Sequence, residues 1–171
     1  MKKLLLSLTA VIGLAGAPAA GSSEEIMLEM IDYIVSETEL EYNGEQLPFV
    51  IVKSIDEICQ DMLSPSDYEI FSRGGYCNYA GYYDPTVRTI VVADEPVKYM
   101  VAEKYYETIL VHELAHYLQY LNGADEHVQC RNELEADAYR IQNSWIDLKG
   151  YPEEQKTQGL FAKLNSMCGH P

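Results

Sequence analysis

Basic side chains are scarce in this chain: 12 Lys and Arg stand against 27 Asp and Glu, a formal net charge of −15. A surface of that sign repels phosphates, which argues against nucleic acid as a partner, and it disfavours anionic lipid surfaces. Its simplest consequence is solubility. Long hydrophobic runs are also lacking, with residues 4–15 as the exception. That run follows Met1-Lys2-Lys3 and precedes Ala17-Pro18-Ala19, the basic start, apolar centre and small-residue cleavage signature of a secretory signal peptide. It is short for a membrane span, and no cysteine follows it to carry a lipid. The expected product is a single domain over residues 20–171, exported to the periplasm or the extracellular space, with no membrane anchor after cleavage. Losing Lys2 and Lys3 would leave 10 basic against 27 acidic side chains, a formal charge of −17.

Repeats, low-complexity stretches and any second domain boundary are absent. Cysteines are few: Cys59, Cys77, Cys130 and Cys168. They lack the close paired spacing of a four-thiolate zinc site. An even count in an exported chain predicts two disulfides. Of the three possible pairings, Cys59–Cys77 and Cys130–Cys168 each join neighbouring elements. Tryptophan occurs once, yet tyrosine occurs 14 times. Tyr76, Tyr79, Tyr82 and Tyr83 cluster, read here as strand packing with polar tips rather than as the aromatic wall of a cleft.

Against this background stands His112-Glu113-Leu114-Ala115-His116. Two histidines four apart on a helix put both imidazoles on one face, one turn apart, where both nitrogens reach one zinc ion. Glu113 lies beside the first, placed to take a proton from metal-bound water. Leu110, Leu114, Tyr117, Leu118 and Leu121 follow helical spacing, and the two histidines fall off that stripe. Asn122-Gly123 supplies a stop. Downstream, Asn132-Glu133-Leu134-Glu135-Ala136-Asp137 opens a second helix with Leu134, Ala138, Ile141 and Trp145 as its apolar stripe. Glu133 offers a third ligand and leaves a fourth position open, the catalytic rather than the structural arrangement. Asp137, one turn on, can reach a ligand imidazole N–H and fix its tautomer. Glu135 is the competing ligand. It points about 200° away from Glu133, so the two cannot both face one metal.

The remaining pattern predicts an α+β fold, a small antiparallel or mixed sheet packed on the two motif helices. Ser22-x-x-Glu25 is a capping box before a helical stripe of Met27, Met30, Ile31 and Ile34. Residues 48–52 read as a strand. Ser54-x-x-Glu57 caps a short helix through Leu63, and residues 64–75 read as turns. Residues 76–83 and 87–92 read as a hairpin around Asp84-Pro85. Pro96 and Pro152 suit the first turns of further helices, the last with Leu160, Phe161 and Leu164 inward.

His112-Glu113-x-x-His116 followed by Glu133-x-x-Ala136-Asp137 resembles the gluzincin metallopeptidase pattern. The span of residues 76–145 is similar to the minimal ImmA/IrrE peptidase group. The resemblance implies His112, His116 and Glu133 as zinc ligands, Glu113 as base and Asp137 as the group orienting His112. It also implies that the strand over residues 87–92 lies at the sheet edge and pairs with an extended substrate. The metzincin pattern does not fit, since positions 119 and 122 hold Gln119 and Asn122. The function expected is an exported zinc-dependent peptidase whose partner is a peptide or protein substrate. Tyr139, Arg140 and His127 are open candidates for the oxyanion and Tyr83 for substrate contact. The alternatives are a zinc-stabilised binding or inhibitory module and an amidase of cell-wall peptides. Glu113 separates the first of these from an enzyme, because a binding module has no use for it.

Overall fold

The computed structural model describes residues 23–75, 77, 79–94, 105–128, 130–152 and 156. Met27, Met30, Ile31 and Ile34 recur at helical spacing in α1 (Ser23–Glu37), and all four are buried. Strand β1 (Phe49–Lys53) leads into α2 (Ile55–Met62), where the Ser54–Glu57 capping box closes in both directions. The first capping box, at Ser22, lies outside the described residues, as do the expected helices after Pro96 and Pro152 and the signal segment.

Residues 64–75 depart from the expected run of turns. Ser64 accepts a hydrogen bond from the Asp67 N–H, Pro65 occupies the first helical turn, and α3 runs Pro65–Ser72. A proline there costs nothing, because its missing N–H would have had no partner within the helix anyway. The proline was a helix start, not a turn.

The hairpin forms as β2 (Gly81–Asp84) and β3 (Thr89–Ala93), antiparallel and in register from Gly81↔Val92 to Asp84↔Thr89. Asp84 Oδ1 accepts from the Thr86 N–H and hydroxyl and so closes the turn. Strand β1 joins the other side of β3 in parallel, making a mixed sheet of order β1-β3-β2. The architecture is α+β.

Strand β3, expected at the sheet edge, is instead the central strand, hydrogen-bonded on both sides, and every one of its residues is buried. Ile90 and Val92 face the main core, whereas Val91 and Ala93 meet Ile58 of α2. The Cys59–Cys77 disulfide ties α2 to the approach of β2. Cross-linking a loop of that span restricts the unfolded chain by about 3 kcal/mol. Cys130 is also disulfide-bonded, while Cys168, its expected partner, lies outside the described residues.

Helix α4 (Tyr105–Leu121) runs between sheet and helices, and α5 (Arg131–Lys149) packs along it. Between Ile109 and Gln119 α4 is buried on every side. Leu134, Ala138, Ile141 and Trp145 of α5 enter the core, with Trp145 edge-on to Tyr33 at 5.0 Å. Gly123 takes φ 65°, the left-handed turn that stops α4. No helix of the described residues is long and apolar enough to cross a membrane.

Candidate metal centre

The two histidines of α4 project together into the α4–α5 interface. His112 Nε2 and His116 Nε2 stand 3.2 Å apart, and Oε2 of Glu135 is 3.4 Å from each. Two tetrahedral zinc ligands with bonds of 2.0–2.1 Å stand about 3.3 Å from one another. The three donor atoms thus have the near-equilateral spacing of one face of a zinc tetrahedron. Hydrogen bonding alone does not explain such a triangle: two neutral rings bring at most one Nε2–H each, which serves two of its three edges and leaves the third without a hydrogen.

Glu133, the expected third ligand, is not in this cluster, and Glu135 stands in its place. Asp137, expected to hold His112, is also turned away: it is exposed and faces Arg140 at 3.6 Å. Both corrections have one cause. Glu133 and Asp137 sit two residues either side of Glu135, so a helix rotated to aim Glu135 at the histidines carries both to the far flank. The rotation had a signal in the sequence. Glu135, Tyr139, Gln142 and Ile146 follow i, i+4, i+7, i+11 spacing and end on a buried isoleucine. Glu133, Asp137, Arg140 and Ser144 have the same spacing, and none of them is buried.

What supports the imidazoles was missed. His116 Nδ1 lies 2.8 Å from Gln119 Oε1, and Gln119 Nε2 donates to the Leu134 carbonyl at 3.0 Å. His112 Nδ1 is buried without a hydrogen-bond partner among the described residues. The Tyr139 ring lies against the His112 ring at 4.4 Å between centroids.

Glu113 is 5% exposed and is not one of the three clustered donors. Its carboxylate accepts the Tyr83 backbone N–H. The strand geometry explains this contact. Ala80 C=O accepts from Ala93 N–H, so alternate residues bond to β3, and the peptide groups of Gly81 and Tyr83 face the outer edge. Gly81 permits the close approach. A Cβ there would meet Ile109 Cγ2 at 2.6 Å, the Val91 carbonyl oxygen at 2.8 Å and Glu113 Oε1 at 3.3 Å. We expect Gly81→Ala to lower stability by about 1–3 kcal/mol as an overpacked site. A chemical denaturation midpoint equal to wild type would refute that close packing.

Burial pushes the Glu113 carboxyl above its ordinary range, against the pull of the two imidazoles. Burial also acts to raise Glu135, but the facing imidazoles of His112 and His116 outweigh it and hold this carboxyl well below the usual range. His116 is pulled down by burial, yet Glu135 and Glu113 prevail and raise it. Tyr139 is pushed up to about 12 by burial and the two glutamates, so its hydroxyl keeps its proton. A bound cation would reverse the sign of the local field and favour ionised carboxylates.

The other candidates lie elsewhere. Asp137, Arg140 and His127 line a groove of about 840 Å³ beside the end of α1, and its lining includes none of His112, His116 and Glu135. The Tyr83 ring packs on Tyr117 and Tyr120 at 5.8 Å. Tyr82 donates to Asp61.

No curated protein and no solved structure matches this sequence. The family described as Domain of unknown function (DUF6647) matches residues 24–170. That match takes in every described helix and strand past the first residue of α1, the three donor-bearing residues included, and by it the chain belongs to the DUF6647 family.

Proposed function

We propose that this protein is an exported zinc-dependent peptidase of gluzincin type. The observation that carries the reading is the donor triangle of His112, His116 and Glu135, with edges of 3.2, 3.4 and 3.4 Å, beside a carboxylate that is not a ligand. Two imidazoles and one carboxylate form the donor set of catalytic zinc sites with an open fourth position. Zinc held there supplies Lewis acidity, which acidifies water and polarises a peptide carbonyl.

The protein's own groups do the rest. Glu113 accepts the proton of the attacking water and returns it to the leaving amine. Its low exposure and its bond to the Tyr83 N–H hold it beside the outer edge of β2. No described strand pairs with that edge, which offers main-chain hydrogen bonds to an extended peptide. Tyr139, protonated and with its ring tilted against that of His112, is the candidate donor to the developing oxyanion. The Cys59–Cys77 disulfide fits an oxidising compartment outside the cytosol.

Purified protein should carry one zinc per chain and hydrolyse an unstructured peptide. Chelation should abolish turnover, and added zinc should restore it. Protein that neither retains stoichiometric zinc nor gains turnover on zinc addition would contradict the reading.

A further inference from the structure

Gln119 stands three residues after His116 on α4, on the same face and one turn on. It is 3% exposed. A buried primary amide must place its acceptor and its donors with partners, and here the partners dictate which end goes where. The Leu134 carbonyl can only accept, so the NH2 end of Gln119 faces it, at 3.0 Å. Oε1 must then face His116 Nδ1, at 2.8 Å. An oxygen acceptor there requires Nδ1 to bring the hydrogen. In the neutral ring, Nε2 is left with its lone pair, and Nε2 is the atom turned toward His112 and Glu135. The Leu134 carbonyl belongs to the turn that carries Glu135, the next residue. One amide thus touches a donor-bearing ring of α4 and the backbone beside the donor carboxylate of α5.

We propose that Gln119 is a positioning residue: it sets His116 in the Nδ1–H tautomer and locks the Glu135 turn of α5 to α4. The tautomer of an imidazole is set by the hydrogen bond its other nitrogen makes, and the residue behind a ligand commonly contributes 10–100-fold in metal affinity. The effect on affinity rests on the zinc reading above; the tautomer is a property of the metal-free protein.

The test uses the full chain with 15N-labelled histidine, metal-free and at alkaline pH where the rings are neutral, followed by zinc titration. Wild type should show His116 as the Nδ1–H tautomer. Gln119→Met fills the space but offers no oxygen. It should shift His116 toward the Nε2–H form and weaken zinc binding by about 10–100-fold. Gln119→Glu keeps an oxygen facing Nδ1 but loses the NH2 that donates to the Leu134 carbonyl, so it should restore the wild-type tautomer and only part of the affinity, a rescue that mere space-filling would not produce. His116 in the Nε2–H form in wild type would overturn the proposal. So would an unchanged tautomer in folded Gln119→Met. Should Gln119→Met fail to fold, folded Gln119→Glu decides, and the Nε2–H form there overturns the assignment. Wild type with the Nδ1–H tautomer and no affinity for zinc would instead sink the peptidase reading while supporting the role of Gln119.

Discussion

Glu135→Ala should all but abolish zinc binding, while Glu133→Ala should bind zinc nearly as wild type. The contrast follows from the rotation of α5. Glu135 Oε2 stands 3.4 Å from both imidazole Nε2 atoms, whereas Glu133 lies on the opposite flank with Asp137 and Arg140. Removing one of the three proposed ligands leaves two histidines, fewer than catalytic zinc sites use. The loss should exceed the ~10–100-fold expected for a residue behind a ligand. Asp137→Ala, on the exposed flank, should change affinity little. Isothermal or competitive zinc titration of the three variants separates the possibilities. Collapse in Glu133→Ala with Glu135→Ala intact would show that α5 presents its other flank to the metal.

Glu113→Gln should keep zinc and lose hydrolysis by about 10²–10⁴-fold, the usual contribution of a positioned proton-transfer group. The substitution changes little else. Its amide oxygen can still accept the Tyr83 N–H, and the residue is not among the clustered donors. Fold and metal content should therefore match wild type, which confines the effect to proton transfer. Single-turnover hydrolysis of an unstructured protein substrate, alongside zinc analysis of the same sample, measures both. Equal turnover in the two proteins would remove Glu113 as the base. Loss of zinc together with activity would place it among the ligands instead.

Much of this arrangement was readable from local pattern. The stripe of α1, the Ser54–Glu57 box of α2, the β2–β3 hairpin and the stripe of α5 all follow from short-range rules of periodicity and capping, and all four elements formed. Cys59–Cys77 joins neighbouring elements, so it too could be read along the chain. Helix α3 was missed because proline and serine serve equally at a turn and at a helix start, and only the helix that follows tells them apart.

Local periodicity fixes angles around each helix. Helical spacing put His112 and His116 on one face, and it put Glu133 and Asp137 together on the side opposite Glu135. Which side meets the histidines is a question of how α5 rolls against α4, and that roll is set by packing between residues far apart in the chain. Burial of Ile146 and Gln142 along with the main stripe draws the Glu135 flank inward, and solvation of Asp137 and Arg140 keeps the other flank out. The amide of Gln119 then takes the place beside a ligand ring that local spacing had assigned to Asp137. Its two partners, His116 and the Leu134 carbonyl, lie on different helices and meet only when those helices pack.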